Sequence, residues 1–282
     1  MKTKEELIDD LLNLAFAEDL GDGDHTTLST IPADAMGTSR LIIKEDGILA
    51  GVEVAKKVLE KVDPSIKMEI FINDGAEVRK GDVAFTAEGP VRALLIAERT
   101  MLNIMQRMSG VATMTRRYQN ELAGLHTRVL DTRKTTPGMR MLEKEAVKIG
   151  GGTNHRIGLF DMILIKDNHI DFAGGIEKAI TRAQEYCREN NKDLKIEVEV
   201  RSLDDIRRVK EHGGVDRIMF DNFTPELTKE AVKLVDGEFE TESSGGITID
   251  NLRAYGEAGV DFISVGALTH SVKGLDMSFK AV

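Results

Sequence analysis

The sequence predicts an α/β protein in which an α+β segment precedes an open, incomplete parallel α/β barrel. The chain has 282 residues, of which 41% are hydrophobic, and this is enough to enclose a substantial core in one or two domains. Short strands and glycine-marked turns dominate residues 38–98, whereas strands and helices alternate regularly from residue 127 onward. Regular alternation predicts parallel pairing, because a crossover helix returns the chain to the same edge of a sheet.

Charge and cysteine content narrow the class of protein. The 48 acidic and 38 basic residues give a net charge of −10, which argues against a nucleic acid or an anionic membrane as the main partner. The single cysteine, Cys187, is expected at a half-buried helix position, and the lack of an internal disulfide is typical of a reducing compartment. Charges interrupt the leucines near the N-terminus, so we expect neither a signal peptide nor a membrane span and predict a cytoplasmic protein.

The first helix has clear signals at both ends. Thr3 and Glu6 form a capping box, apolar residues repeat at helical spacing from Leu7 to Ala15, and Gly21 ends the helix. The segment GDGDHTT that follows carries acidic residues and a histidine, but it lacks the spacing of a calcium loop. We therefore interpret it as a solvated turn rather than a metal site.

Residues 38–98 contain three predicted strands and one helix. The strands are RLIIKE, KMEIFI and DVAFTAEG, and the helix is GVEVAKKVLEKV. A long helical stretch follows from Arg92 to Leu122, and we expect it to break near Ser109 and Gly110.

Six strands are predicted in the second part of the chain, at residues 128–132, 162–166, 196–200, 217–221, 238–243 and 262–266. Helical stretches rich in alanine, glutamate, lysine and leucine separate them. A closed barrel of this kind has eight strands, so six strands predict an open or incomplete barrel.

Polar residues follow the ends of these strands. The carboxyl ends of the strands of a parallel α/β barrel meet at one face, where the active site is built. The residues at or after the predicted ends are Thr132, Arg133, Lys134, Lys166, Glu199, Asp221, Ser244, Gly245, Gly246, Gly266 and Ala267. We therefore predict that they converge on one candidate active site although they lie far apart in the sequence.

The charge near this face opposes that of the whole chain. Eight basic and five acidic residues lie between Arg128 and His169. A local excess of arginine and lysine indicates a small polyanionic ligand, because guanidinium groups bind carboxylate or phosphate in a bidentate way. We expect Arg133, Lys134, Arg156 and Lys166 to meet this ligand, since they follow strands or a glycine-rich loop. The helical spacing of Arg140, Lys144 and Lys148 instead predicts residues on a helix surface.

Three glycine-rich segments accompany the strands. SSGGIT leads into a helix expected to begin near Thr248, and SVGALTHS follows the last strand. Both can direct backbone N–H groups at a phosphate, as the last two loops of such barrels commonly do. The third segment, GGGTNHR at 150–156, is interpreted as a flexible cover that places His155 and Arg156.

Two carboxylates on the same face are candidates for binding a metal. Glu199 and Asp221 beside a phosphate cluster are typical Mg²⁺ ligands, although a salt bridge is the alternative role for Glu199. Glu197 shares the strand face of Glu199, so either glutamate could point into the site.

Longer motifs resemble a known family. The run DTRKTTPGMRMLEKEAVKIGGGTNHRIGLFDMILIKDNH occurs together with ERTMLNIMQRMSG, EVEV, FDN, SSGGIT and VGALTHS. In this order they resemble the quinolinate phosphoribosyltransferases, also called carboxylating nicotinate-nucleotide pyrophosphorylases, over nearly the whole chain. The resemblance implies an N-terminal α/β sandwich domain with a helical linker at 1–108, an open α/β barrel domain at 109–273 and a C-terminal tail at 274–282.

The resemblance also implies an activity and roles for individual residues. The expected reaction is phosphoribosyl transfer from phosphoribosyl pyrophosphate to quinolinate with loss of CO₂, which makes the protein a glycosyltransferase of NAD biosynthesis. Quinolinate is expected to bind Arg99, Arg133, His155, Arg156 and Lys166, and Thr132 is expected to be a further substrate-binding residue. Phosphoribosyl pyrophosphate and Mg²⁺ are expected to meet Lys134, Glu199 and Asp221, and the phosphate to meet Ser244, Gly245, Gly246, Val265, Gly266 and Ala267. The expected catalytic residues are Lys134, Lys166, Glu199 and Asp221. The implied assembly is a homodimer or higher oligomer in which Arg99 reaches the pocket of the other subunit.

Three other functions remain open on the residues alone. Lys166 at a barrel strand end could form a Schiff base, as in an aldolase. The same fold could use nicotinate or another ring acid, or belong to a relative linked to molybdenum transport, although three arginines favour a ligand with two carboxylates. A sugar-phosphate binding protein without catalysis is the third alternative, and it is disfavoured because Glu199 and Asp221 would repel a phosphate without a metal.

Overall fold

A computed structural model of the chain describes residues 2–282. In chain order its helices are α1 (Lys4–Leu20), α2 (His25–Thr30), α3 (Val52–Val62), α4 (Val91–Glu121), α5 (Arg140–Ile149), α6 (Asp167–Ala173), α7 (Ile176–Glu189), α8 (Leu203–His212), α9 (Pro225–Val235), α10 (Leu252–Glu257) and α11 (Ala267–His270). Its strands are β1 (Met36–Ile43), β2 (Gly47–Ile48), β3 (Lys67–Ile70), β4 (Glu77–Val78), β5 (Val83–Pro90), β6 (Arg128–Leu130), β7 (Ile163–Ile165), β8 (Ile196–Val200), β9 (Arg217–Asp221), β10 (Glu240–Ser244), β11 (Phe262–Ser264) and β12 (Met277–Ala281).

The chain forms two compact units. The first unit combines the residues up to Arg116 with Thr135–Gly151 and Leu268–Val282, and the second unit combines Arg117–Lys134 with Gly152–Ala267. Because both units combine separate stretches of the chain, the segment boundaries at residues 108 and 273 stay predictions.

The first unit contains an antiparallel sheet in the order β12-β1-β5-β3. The predicted strands RLIIKE, KMEIFI and DVAFTAEG correspond to β1, β3 and β5 and are confirmed. Strand β5 pairs with both β1 and β3. Its inner face is apolar, and the rings of Phe85 and Phe279 lie 6.2 Å apart within the core. The C-terminal residues, assigned by sequence only to a tail, pair with β1 and complete the sheet.

The N-terminal helices show one confirmed prediction and one omission. The Thr3–Glu6 capping box is present, and α1 ends before Gly21 as predicted. The segment interpreted as a solvated turn is partly helical, because α2 begins at His25 with the Asp24 side chain accepting from the Thr27 backbone N–H.

The expected break in the long helix is wrong, since α4 continues through Ser109 and Gly110. The Ser109 hydroxyl accepts from the backbone N–H of Ala50 and donates to its carbonyl, so this residue binds a neighbouring segment instead of ending the helix. At Gly110, a Cβ atom would overlap the carbonyl oxygen of Lys273. Both small residues therefore permit close packing on a continuous helix.

The second unit contains six parallel strands among its described residues, in the order β6-β11-β10-β9-β8-β7. The first strand of this set pairs with the last, so the sheet curves round into a barrel that stays open between β6 and β7. The predicted open α/β barrel is confirmed, and β8 and β9 have the predicted bounds. Cys187 is half-buried on α7, as expected.

The helices correct one prediction, on the exposure of Lys144, and bear on a second, on membrane spans. Lys144, expected on a helix surface, is only 1% exposed on α5. Across residues 2–282, no helix has both the length and the apolar character needed to cross a membrane.

Candidate active site

A pocket opens at the carboxyl ends of the barrel strands, where the sequence predicts the active site. It has a cavity volume of about 190 Å³. Its lining residues are Thr132, Arg133, Lys134, His155, Arg156, Leu164, Lys166, Met219, Glu242, Ser244 and Ser264. Seven of the predicted site residues are therefore brought together by strands and loops that are distant in the sequence.

The rim of this pocket is rich in positive charge. Arg133, Lys134, Arg156 and Lys166 all line it. Burial lowers the pKa of the Arg156 guanidinium below its ordinary value, and the nearby charge of Arg133 lowers it further. Two guanidinium groups this close repel each other, so a ligand with negative charge would stabilise the rim.

One loop places two of the lining residues. Thr153 makes two backbone hydrogen bonds with the chain around β6. Its N–H donates to the Val129 carbonyl, and its carbonyl accepts from the Asp131 N–H. The buried Asp131 carboxylate then accepts from the backbone N–H of His155, at 2.9 Å. Thr153 therefore forms a parallel bridge with Leu130 of β6, and the interpretation of 150–156 as a flexible cover stays a prediction.

The two predicted metal ligands lie at the ends of neighbouring strands. Glu199 is the next-to-last residue of β8 and is 6% exposed, and its Oε2 atom lies 3.0 Å from Nζ of Lys166. Asp221 ends β9, and its Oδ2 atom accepts from the side-chain amide of Asn222 at 2.7 Å. The salt bridge considered as an alternative role for Glu199 is present, with Lys166 as the partner.

The glycine loop after β10 packs against Asn222. Gly245 has φ +96°, and a Cβ atom there would overlap Oδ1 of Asn222 and approach its backbone nitrogen. Asn222 itself has φ +56°, and its N–H donates to the Ser244 carbonyl at 2.9 Å. Only glycine fits at position 245, because Asn222 occupies the space that a Cβ atom would need and the backbone has a positive φ. The helix expected near Thr248 begins later, at Leu252, after a turn in which the Thr248 N–H donates to the Asn251 side chain at 2.8 Å.

The remaining predicted phosphate residues lie at the end of the last barrel strand. Val265 and Gly266 follow β11, and α11 begins at Ala267. The Val265 N–H donates to the Leu130 carbonyl at 3.0 Å, which ties this loop to β6. These three residues are near Ser264, which lines the pocket, but are not themselves lining residues.

Arg99 is the one predicted ligand residue that belongs to the first unit. It lies on α4 in a separate cavity of about 250 Å³. The residues around it are Leu11, Ala15, Glu18, Asp19, Thr100, Asn103, Ile104 and Met139. The cavity therefore combines an apolar wall from α1 with acidic side chains near Arg99.

Four buried residues form the base of the pocket, and we call His155, Glu197, Arg217 and Glu242 the floor cluster. His155 and Glu242 line the pocket, whereas Glu197 and Arg217 do not. Nε2 of His155 lies 2.9 Å from Oε2 of Glu197 and 3.5 Å from Oε2 of Glu242. Nη1 of Arg217 lies 3.1 Å from Oε2 of Glu242, and its guanidinium also binds Glu240 and covers the ring of Phe262. Glu197 and Glu199 lie on the same face of β8 but have different partners. Glu197 contacts the imidazole of His155, whereas Glu199 contacts the ammonium group of Lys166.

Burial controls the protonation of the floor cluster. Burial, followed by the negative charge of Glu197, raises the pKa of Glu242 to about 8. Burial also raises the pKa of Glu197 above its ordinary value. The negative charges of Glu197 and Glu242 outweigh desolvation and raise the pKa of Arg217. At neutral pH Glu242 is therefore mainly a neutral acid, with the Arg217 guanidinium 3.1 Å from its Oε2 atom.

Sequence reasoning missed Glu242, Arg217 and Asn222. Glu242 and Arg217 lie inside strands instead of after them, so a search of strand ends passes over both. A usable signal was charge at alternating positions inside parallel strands, because barrel interiors are ordinarily filled by branched apolar side chains.

Comparison with known proteins gives a consistent result. The model of the quinolinate phosphoribosyl transferase C-terminal domain matches residues 111–280, and the model of the N-terminal domain matches residues 24–109. The chain is 45% identical over 285 aligned residues to "quinolinate phosphoribosyltransferase [decarboxylating] 1b" of Nicotiana tabacum, covering 96% of this chain and 81% of the relative. It is 43% identical to the "probable nicotinate-nucleotide pyrophosphorylase [carboxylating]" of Bacillus subtilis, covering 95% and 91%. The crystal structure of NadC from Streptococcus pyogenes superposes with a TM-score of 0.93 at 36% identity, covering 100% of this chain and 99% of that one.

Proposed function

Because the chain belongs to the quinolinate phosphoribosyltransferase family, we propose that it transfers the phosphoribosyl group of phosphoribosyl pyrophosphate to quinolinate. The products are nicotinate mononucleotide, pyrophosphate and CO₂, which makes the protein a pentosyltransferase of NAD biosynthesis. The observation that carries this proposal is the convergence of Arg133, Arg156 and Lys166 on one strand-end pocket.

The cations of the rim suit a ligand with two carboxylates. Arg133 and Arg156 are close enough for the charge of one to lower the pKa of the other. A planar dicarboxylate can bind both guanidinium groups in a bidentate way, whereas one carboxylate leaves a cation without a partner. Lys166 adds a third positive charge from β7, and the hydroxyl of Thr132 offers a neutral contact.

The other side of the pocket suits a phosphorylated sugar. Ser244 lines it, and the backbone of Gly245 and Gly246 continues from there at positive φ. Adjacent N–H groups in such a loop can bind a phosphate, and the positive charge of Lys134 complements the negative charge of the phosphate. We assign the phosphate contacts to this loop and to the loop of Val265, Gly266 and Ala267 that follows β11.

The carboxylates at the end of β8 and β9 fit a magnesium ion. Glu199 and Asp221 are oxygen donors on adjacent strands, and Mg²⁺ prefers one or two carboxylates together with water and substrate phosphate. When bound there, Mg²⁺ would neutralise negative charge on the pyrophosphate. The Asn222 amide orients Asp221, and Lys166 compensates the charge of Glu199 before ligands arrive.

The residues of the pocket act by orientation and charge. The ring nitrogen of quinolinate attacks the anomeric carbon of the sugar, and the bond to the pyrophosphate oxygen breaks, with its electron pair leaving on pyrophosphate. Lys134 and the glycine loop stabilise that negative charge. The quaternary ring then loses the adjacent carboxylate as CO₂, and the electron pair left on the ring carbon takes up a proton. Arg133 and Arg156 hold the ring in line for the first step.

Release of labelled CO₂ from quinolinate tests the proposal directly. The purified protein is incubated with phosphoribosyl pyrophosphate and either quinolinate or nicotinate, each with and without Mg²⁺. We expect Mg²⁺-dependent CO₂ release and nicotinate mononucleotide from quinolinate only. Mononucleotide formation from nicotinate, or binding of both compounds without turnover, would contradict the proposal. An adduct on Lys166 trapped by borohydride would instead support the aldolase alternative.

We also propose that the protein works as a homodimer in which Arg99 enters the barrel pocket of the partner subunit. The support is that Arg99 lines an open cavity of the first unit, and that the family resemblance assigns it to quinolinate. Mixing inactive Arg99→Ala and Lys166→Ala subunits should then restore activity to about a quarter of the wild-type value, because half of randomly formed dimers contain one intact site. No recovery after demonstrated subunit exchange would contradict shared sites.

A cytoplasmic location is the last part of the proposal. Its support is the acidic composition and the single, half-buried cysteine. Some plant relatives are named as mitochondrial or chloroplastic, so fractionation of the source cells is the deciding measurement.

A further inference from the structure

His155 joins the floor cluster to the rim of the pocket. Its Nδ1 atom accepts a hydrogen bond from the backbone N–H of Arg156, at 2.7 Å. A backbone N–H can only donate, so Nδ1 carries no proton while this bond exists. The single ring proton of the neutral imidazole is then on Nε2.

The floor cluster is complementary to this tautomer. Nε2 lies 2.9 Å from Oε2 of Glu197 and 3.5 Å from Oε2 of Glu242, close enough for electrostatic attraction although neither contact has hydrogen-bond geometry. With the proton on Nδ1 instead, an N–H would face the N–H of Arg156, and this contact would be repulsive in a layer from which water is excluded.

The cost of this layer indicates a purpose other than stability. Glu197 and Glu242 have no exposed surface, and burying carboxylates is expensive compared with the branched apolar residues that fill barrels. The guanidinium of Arg217 offsets part of this cost and holds Glu242 in place at 3.1 Å. The cluster therefore lowers the stability of the fold but keeps the imidazole of His155 in one orientation.

Arg156 is fixed at both ends by this arrangement. Its backbone N–H binds the ring of His155, and its Nη1 atom donates to the carbonyl of Met162 at 3.3 Å. The side chain between these two bonds lines the pocket beside Arg133.

We propose that Glu197, held together with Glu242 by Arg217, is a positioning residue that fixes His155 as the Nε2–H tautomer and thereby places Arg156 for substrate binding. The inference rests on the proposed function, because it takes the ligand of Arg156 to be a carboxylate of quinolinate. Glu197 acts only through His155 and does not touch the substrate itself.

The same three side chains, His155, Glu197 and Glu242, are close enough together to bind a divalent cation. Arg217 already supplies a positive charge to Glu242, and a metal on Nε2 would displace the proton that the proposal requires. Metal analysis of protein purified without chelators therefore separates the two possibilities. We expect no transition metal above a few per cent of the protein, and one equivalent would overturn the proposal.

Nitrogen NMR of ¹⁵N-histidine-labelled protein tests the tautomer without any substrate. The six histidines are assigned by substitution, with His155→Gln identifying the ring of interest. In the wild-type protein at pH 7.5 we expect a protonated Nε2 and an unprotonated Nδ1 for His155. A protonated Nδ1, whether in the neutral ring or the imidazolium, would overturn the proposal.

Kinetics of two substitutions test the consequence for binding. Glu197→Met keeps the volume of the side chain and removes the acceptor, whereas Glu197→Gln keeps a carbonyl oxygen toward Nε2. We expect Glu197→Met to raise the KM for quinolinate about tenfold with a small change in kcat, because a displaced binding group weakens ground state and transition state alike. The KM for phosphoribosyl pyrophosphate should stay within about twofold, and Glu197→Gln should restore most of the loss.

The controls separate positioning from loss of fold and from failure of the proposed function. Glu177→Met makes the same change in an exposed ion pair with Arg208 and should leave both KM values unchanged. Equal losses for both substrates after Glu197→Met, or no rescue by Glu197→Gln, would contradict the positioning role. If the wild-type protein shows the Nε2–H signature but releases no CO₂ from quinolinate, the proposed function fails while the tautomer assignment stands.

Discussion

The rim and the floor of the strand-end pocket differ in position, exposure and charge. Rim residues such as Arg133 and Lys166 follow the strands, are partly exposed and carry positive charge toward a ligand. Floor residues such as Glu197 and Glu242 lie inside strands, are fully buried and are mainly acidic. The rim offers binding groups, whereas the floor holds them in position. This barrel site is therefore built in two layers, and the buried lower layer lines the pocket only through His155 and Glu242.

Removing the cation of the floor should have the largest effect on stability. Arg217→Met leaves the buried Glu242 without its guanidinium partner, whereas the more exposed Glu240 keeps Lys195. We expect a loss of about 3 kcal/mol of unfolding free energy in urea titrations, since breaking one side of a buried pair exposes the desolvation cost of the other. The matched change Arg208→Met, in an exposed pair with Glu177, should cost less than about 1 kcal/mol. Equal losses would contradict the distinction between floor and surface.

Removing a cation of the rim should affect binding instead of stability. Arg133→Ala deletes a charge-assisted contact to carboxylate, and we expect kcat/KM for quinolinate to fall about a hundredfold, or roughly 2.7 kcal/mol. The melting temperature should stay close to the wild-type value, because the side chain repels Arg156 in the free protein. Arg207→Ala, at an exposed position of α8, is the matched control and should change neither quantity. Unchanged kinetics in Arg133→Ala would contradict a role of this residue in binding quinolinate.

The glycine loop can be tested with a pair of alanine substitutions. Gly245→Ala introduces both a strained positive φ and an overlap with Asn222, whereas Gly213→Ala introduces the strain at φ +72° with open space around it. We expect Gly213→Ala to cost about 1 kcal/mol and Gly245→Ala about 1 to 3 kcal/mol. Only Gly245→Ala should also raise the KM for phosphoribosyl pyrophosphate. The same KM in both variants would argue against phosphate binding by this loop.

Glu242 should give the floor a pH signature. Its pKa is raised to about 8 in the folded protein from an ordinary value of 4.5, with Glu197, His155 and Arg217 as the charged or titratable neighbours. A raised carboxyl pKa stabilises the fold fully below pH 4.5, and this contribution is lost as the pH rises toward 8. Within that window the contribution falls by about 1.4 kcal/mol per pH unit. Denaturant titrations from pH 5 to 8 should therefore show a flatter profile for Glu242→Gln than for the wild type, and parallel profiles would contradict the buried neutral acid.

The sequence predicted the rim more completely than the floor for a physical reason. Strand ends are recognisable because apolar strand residues give way to polar ones, and Arg133 and Lys166 follow such transitions. The partners of a residue inside a strand depend on register and curvature, and neither is written in the strand itself. The contact between His155 and Glu197 joins a loop to a strand 42 positions later, so it follows only from the folded sheet.

Contacts between distant residues also explain why the break in α4 was predicted wrongly and the C-terminal strand was missed. Ser109 and Gly110 have low helix propensity, yet packing against Ala50 and Lys273 overrides that preference and keeps α4 continuous. The C-terminal strand is recognisable only through its pairing with β1, more than 230 residues away. By contrast, the Thr3 capping box and the parallel strands of the barrel depend on local signals, and both are confirmed.

Calorimetric titration of quinolinate into the wild-type protein and into Arg133→Ala tests the central claim most directly. The claim is that the rim is a binding site for a ring with two carboxylates. We predict one quinolinate per barrel pocket, binding at least about tenfold tighter than nicotinate in the wild type, with that preference lost in Arg133→Ala. Equal affinities for quinolinate and nicotinate in the wild type, or a preference that survives the substitution, would contradict it.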